Sequence, residues 1–292
     1  MSRFTLSALV GAALIAVPLG ALAADYPQPP TYVPPAAFHS DWYLKGYIGL
    51  AAQHFRGLEH PLLDDPDYAP ASLEWLDRGQ FDGVPLFGVG VGFRHSEHLR
   101  FDLTAEYRAK SAFSALDRYD SNTEDSDFGD DCTFAPGEDC GTNHYTGKKQ
   151  EFLFLANAYF DLNSIHGITP YVGAGIGGSY NTIYGFTDTN VINNGGGWAP
   201  TGSKWSLAWA LHAGASMPVN ERLSLEFGYS FVKLGDAQTG LFQNSDANLA
   251  CQGTGGTCYP MVFKSIYSHD FKVGARWALG HTQPSYPVMA KY

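Results

Sequence analysis

From Asp41 onward, apolar and polar residues alternate with a period of two, and the links between these segments are alternately short and long. Leu99–Lys110 is the clearest segment. Leu99, Phe101, Leu103, Ala105, Tyr107 and Ala109 fall on one side, and Arg100, Asp102, Thr104, Glu106, Arg108 and Lys110 on the other. A helix would smear those charges around its circumference, whereas a strand sends them all to one face. The same pattern predicts strands over Asp41–Ala52, Phe81–Arg94, Gln150–Leu162, Thr169–Tyr180, Lys204–Ser216, Arg222–Val232 and Ile266–Leu279. With Leu99–Lys110 the set is even, as closure with both ends on one side requires. Short links are expected at His95–His98, Asn163–Ile168 and Pro218–Glu221, and long links at Gln53–Gln80, Ser111–Lys149, Asn181–Ser203 and Lys233–Ser265. Short turns on one side and long loops on the other are the habit of transmembrane barrels.

A secreted β-sandwich also alternates, but it packs its apolar faces together and leaves charge in water. Here glycine sits on the charged face of two strands, as Gly88, Gly90 and Gly92 and as Gly173, Gly175 and Gly177. Small residues there suit a narrow lumen that bulky neighbours fill. Charged residues are only 16% of the chain and aromatics 14%, against about 25% charged in a typical soluble domain. The predicted fold is all-β: an eight-stranded antiparallel up-and-down transmembrane β-barrel over residues 41–279.

Residues 1–23 read as a signal peptide. Arg3 starts it, Leu6–Val17 is its apolar run, Pro18 and Gly20 end that run, and Ala21-Leu22-Ala23 is an A-x-A cleavage site. A permanent anchor over Phe4–Ala24 would need flanking Lys or Arg in place of those small residues. Residues 24–40 are proline-rich and predict an extended periplasmic linker, and residues 280–292 a periplasmic tail. Cys132 with Cys140, and Cys251 with Cys258, form two close pairs in polar, Gly-rich stretches. In an exported chain this suggests two local disulfides. Zinc is the competing reading, but no histidine stands at ligand spacing beside them.

The net charge of −11 is concentrated in the long links. The second carries Asp117, Asp120, Glu124, Asp125, Asp127, Asp130, Asp131, Glu138 and Asp139. The expected role is a solvated, self-repelling surface, which opposes nucleic acid. No spacing matches a calcium loop, so no metal and no cofactor are assigned. Charges on the inward face are Lys45, Arg100, Asp102, Glu106, Arg108, Glu226, Asp270, Lys272 and Arg276, with His212 beside them. In a narrow barrel they must pair, either as a network that plugs the lumen or as a gate in which pairs exchange partners. Trp42, Trp205, Trp209, Tyr229, Phe231 and Trp277 are candidates for aromatic girdles. His269 with Ser265 or Ser268 is the only hint of a lipid-modifying enzyme. Alternation sends Ser268 to the face opposite His269, and Ser265 is read with the lumen-facing set, so no catalytic residues are assigned.

Three stretches carry a family resemblance. Asp41-Trp42-Tyr43-Leu44-Lys45-Gly46-Tyr47-Ile48-Gly49 looks like the first strand of the small outer-membrane surface antigens of alphaproteobacteria. Thr169-Pro170-Tyr171-Val172-Gly173-Ala174-Gly175-Ile176-Gly177 resembles their fifth strand, and Phe271-Lys272-Val273-Gly274-Ala275-Arg276-Trp277 their last. The family is porin-like or opacity-protein-like and similar in architecture to the OmpA transmembrane domain. The resemblance implies an outer-membrane location more than an activity. It also implies lipid and lipopolysaccharide as surroundings, barrel-assembly machinery as a partner, and a structural or surface-antigen role. A narrow gated channel, or an adhesin or haem-binding protein with a host or small-molecule ligand at the loops, is the alternative. Family members commonly end on an aromatic in the last strand. Here Leu279 takes that place, and Trp277 is the nearest aromatic.

Overall fold

Alternation over such lengths leaves each segment one greasy face and one polar face, and closing the sheet separates them. The computed structural model describes residues 42–59, 72–120, 140–190, 196–244 and 259–279. Eight long strands form its wall: β1 Trp42–His54, β2 Val84–Arg94, β3 Leu99–Asp120, β4 Cys140–Asp161, β5 Thr169–Asn190, β6 Gly202–Pro218, β7 Leu223–Leu241 and β8 Pro260–Ala278. Each pairs antiparallel with its sequence neighbours, and β1 pairs with β8, so the sheet closes without an edge. Short pieces at Gly57–Glu59 and Ser72–Asp77 add to β8 and β3, and Gly196–Ala199 adds to β5.

The outer wall is apolar over the lower half of the barrel. Leu207 is 70% exposed, Leu50 65%, Phe271 64% and Leu103 61%. Arg100 and Arg108, their inward counterparts, are 0% exposed. Inward glycines meet inward tyrosines across the ladder, Gly92 opposite Tyr43, Gly88 opposite Tyr47 and Gly214 opposite Tyr171. A Cβ on Gly92 would come within 2.1 Å of the Tyr43 ring, so these large–small pairs are how side chains fill so narrow a cylinder.

The strands run farther than the alternation predicts. The alternation predicts one long loop over Ser111–Lys149, but β3 continues to Asp120 and β4 begins at Cys140. Likewise β5 runs to Asn190, β7 to Leu241, and β8 starts at Pro260. A 22-residue strand spans roughly 70 Å. At a tilt of about 40° this is roughly twice the height of a ~25 Å apolar band. Alternation alone does not reveal the extension, because its polarity is inverted. An extra residue between Arg108 and Ser111 flips the inward set of β3 from even to odd positions. Gly185 in β5 (φ 53°), Gly235 in β7 (φ 72°) and Ser265 in β8 (φ 59°) stand at similar flips. Beyond these bulges most inward residues are apolar, among them Phe113, Ala115, Phe186, Ala237, Met261 and Phe263. The outer face there carries Ser114, His144, Thr187, Thr189 and Lys264. The upper half is therefore a barrel built for water, standing on a lower half built for lipid.

Two further expectations change. Phe81 does not begin β2, which starts at Val84; it turns inward and bridges to Phe113. Asp117 is not in a solvated loop: it is buried inside the upper barrel, where it accepts a hydrogen bond from Tyr145 Oη at 2.6 Å. The signal peptide, the linker, the tail after Leu279, the other acidic residues between 121 and 139, and Cys132, Cys251 and Cys258 lie outside the described residues. Of Cys140 and Asp120, only the backbone is described.

Candidate functional site

Interior charge is organised in two groups. Near the end with the short links, Lys45 Nζ meets Asp102 at 2.7 Å, Arg100 Nε meets Asp161 at 2.9 Å, and Glu226 is shared by Arg276 at 2.8 Å and Arg100 at 3.4 Å. Toward the bulges, Arg108 contacts Asp270 at 2.7 Å, Glu151 at 2.8 Å and Glu106 at 3.1 Å. Lys272 closes on Glu106 at 2.5 Å and lies 3.7 Å from Asp270. Lys149 pairs with Glu151 and donates to Gln53 at 2.9 Å. Tyr47 Oη donates to Glu106 at 2.8 Å. His212 bridges Ser230 Oγ at 2.8 Å and Asn157 Oδ1 at 3.1 Å.

All nine charges read from the sequence thus meet opposite charges in the interior. Glu151, Asp161 and Lys149 complete the set and were not in it. Glu151 and Asp161 were legible, because they share the inward face of β4 with Asn157 and Tyr159. Lys149 was not, since it lay in a segment read as a loop. A buried ion pair has to recover the cost of taking both charges out of water, and it does so only with close geometry and extra hydrogen bonds. The cavity left among Lys45, Tyr47, Glu106, His212, Glu226 and Lys272 is about 40 Å³, room for no more than a few waters.

Above the charges lies an aromatic layer that the sequence did not suggest. Phe113 and Phe263 have ring centroids 5.0 Å apart, Phe81 and Phe263 5.3 Å, and Phe55 and Phe81 5.5 Å. Phe55 also meets Phe263 at 5.5 Å and Phe113 at 5.6 Å. Four rings from β8, β3, the chain after β1 and the turn before β2 therefore pack together within the apolar upper core. Lys149 Nζ lies 5.6 Å from the Phe81 centroid, so the layer rests directly on the ion pairs.

The six girdle candidates all lie on the outer wall, in two groups. Trp42 and Trp277 stand at the short-turn end, where Trp42 meets Phe93 at 5.4 Å. Trp205, Trp209, Tyr229 and Phe231 stand nearer the bulges, with Trp205 against Tyr180 at 5.1 Å and Trp209 against Phe231 at 5.7 Å. Near them, Ser268 points inward onto Asp270, Ser265 Oγ accepts from Lys233 Nζ at 2.5 Å, and His269 bonds Tyr229 Oη at 2.6 Å. The Ser–His set thus has its hydrogen bonds elsewhere. Among the described residues, no group of His, Cys, Asp or Glu is arranged to hold a metal ion.

Water would penalise a wall bearing Leu50, Leu103, Leu207 and Phe271, while bilayer hydrocarbon accepts it provided every backbone group is paired, as closure ensures. The chain is an eight-stranded outer-membrane β-barrel protein. Its sequence is similar to uncharacterized proteins of Brucella suis biovar 1 and Brucella melitensis biotype 1, at 28% and 27% identity over 86% of this chain and 89% of theirs. The outer membrane protein PagN of Salmonella typhimurium is 24% identical over 81% of this chain and 89% of its own. Among solved structures, OprG from Pseudomonas aeruginosa aligns with 82% of this chain and 98% of its own at 12% identity and a TM-score of 0.44. Neisserial surface protein A aligns with 82% and 97% at 13% identity and a TM-score of 0.37. No family model matches the chain.

Proposed function

We propose that this is a non-enzymatic structural and surface protein: a closed barrel that braces the outer membrane and carries a β-walled tower, with its acidic links, into the surroundings of the cell. The observation that supports this reading over a gated channel is the Phe55, Phe81, Phe113 and Phe263 layer above the ion pairs. Exchange of partners among Arg108, Glu106 and Lys272 could open a path through charge, but not through a cluster of aromatic rings, which opposes passage by excluding water. The proposal includes export by a signal peptide over residues 1–23, a periplasmic linker at 24–40 and tail at 280–292, and assembly by the barrel-assembly machinery. It also includes disulfides Cys132–Cys140 and Cys251–Cys258 bracing the tips of the links. A ligand held by the tower, as an adhesin would hold one, fits the same architecture.

Planar-bilayer conductance of the purified folded protein tests the closed lumen. The wild type is expected to be silent. Replacing Phe81, Phe113 and Phe263 together with alanine is expected to admit water and give small steps. Steady unitary currents from the wild type would overturn the reading.

A further inference from the structure

The outer wall over β1, β8 and β7 is graded along the membrane normal. In the ladder, His54, Tyr267 and Lys233 stand side by side; one outward rung below are Ala52, His269 and Phe231; then Leu50, Phe271 and Tyr229; then Ile48, Val273 and Phe227. Cation and phenol therefore give way to a hydrogen-bonded His269–Tyr229 pair and then to hydrocarbon. An apolar groove of about 810 Å³ opens at the lower rungs, lined by Ile48, Leu50, Phe87, Phe227, Phe271 and Val273. Farther up, beyond the His269 and Tyr267 rungs, Arg56 is exposed, and its backbone N–H donates to Lys264 O at 3.0 Å. Lys233 reaches Ser265, the next residue of β8. Arg56 and Lys233 thus flank the same point of β8, and neither forms an ion pair among the described residues. The nearby carboxylates are occupied: Glu59 by Lys264 at 3.1 Å, and Asp236 by Lys204 at 3.7 Å and Lys264 at 4.0 Å.

In a chain of net charge −11, two neighbouring cations with no ion pair among the described residues, on the rungs above a lipid-facing groove, call for an anion that itself belongs to the bilayer. We propose that this stripe binds a phosphate-bearing acyl lipid of the outer leaflet. Arg56 and Lys233 would hold the phosphate, His269 and Tyr229 the polar linkage below it, and the groove an acyl chain. The inference rests on the membrane placement of the barrel and not on whether its lumen is closed.

Diphosphorylated lipid A added to the folded full chain in non-ionic detergent, with the bound fraction read by native mass spectrometry, provides the test. Exposed Lys110 and Lys148 make no ion pair among the described residues and lie at similar height on β3 and β4. They therefore supply a control that removes the same charge elsewhere. The R56Q/K233Q variant is expected to lose binding by roughly tenfold or more, K110Q/K148Q to keep it, and dephosphorylated lipid A to bind wild type as weakly as diphosphorylated lipid A binds the first variant. Unchanged binding in R56Q/K233Q, equal loss in K110Q/K148Q, or indifference to the phosphates would each overturn the proposal. Unheated gel mobility reports whether each variant is folded.

Discussion

Arg108 shows what a single residue does in this interior. Its guanidinium faces three carboxylates, Glu106, Glu151 and Asp270, and is fully buried. Arg108→Met keeps most of the volume but leaves buried negative charge unmatched, so a loss of about 3–5 kcal/mol is expected, read as the urea midpoint of unfolding in micelles. An unchanged midpoint would mean that the carboxylates find Lys272 and Lys149 at no cost. Tyr145 is a second case, in the tower above the membrane. Burial raises its phenol well above the ordinary tyrosine range, and Asp188 and Asp117 add to the shift. A folded-state value raised above the unfolded one stabilises fully below the unfolded value, about 10, and that stabilisation is lost as pH rises beyond it. The unfolding midpoint should therefore fall as pH rises past about 10 in the wild type, and Tyr145→Phe should flatten that fall.

At the level of the strand, alternation alone located eight segments and the direction each face points, because hydrocarbon outside and charge inside leave a two-residue period in the sequence. It stopped at the bulges. In β3 the apolar residues remain at odd positions from Leu99 through Phe113 and Ala115, yet they face out before Lys110 and in after it. One inserted residue reverses the face while leaving the text of the pattern almost unbroken. Gly185 tests the backbone side of this device. Its φ of 53° lies in the left-handed region, and a Cβ there would meet nothing within 4 Å. Gly185→Val therefore carries a conformational penalty of roughly 1–2 kcal/mol without a clash, whereas Gly185→Asn, which tolerates that region, should lose less. Chemical denaturation of the two variants side by side measures the difference, and equal midpoints would remove the bulge from this account.

Taken whole, the molecule joins two solvents' worth of design in one sheet: aliphatic wall around charge below the bulges, polar wall around apolar side chains above them. Closure of the hydrogen-bonded ladder should keep it folded in detergent. Unheated and boiled samples are expected to migrate differently on a gel, and identical mobility would argue against a closed barrel. The lower half was readable from the amino-acid order, because each residue there faces either lipid or lumen and its chemistry declares which. Glu151 and Asp161 could have been added to the ion pairs by the same rule.

Sequence by itself determined the strand count, the antiparallel order, the outward belt and the identity of most buried charges. All of these follow from a local period and from the cost of leaving charge in hydrocarbon. Tertiary structure alone decided the height of the barrel, the reversal of its polarity and the aromatic layer inside it. Phe55, Phe81, Phe113 and Phe263 come from four separate places in the chain, and only closure of the cylinder brings their rings within contact of one another.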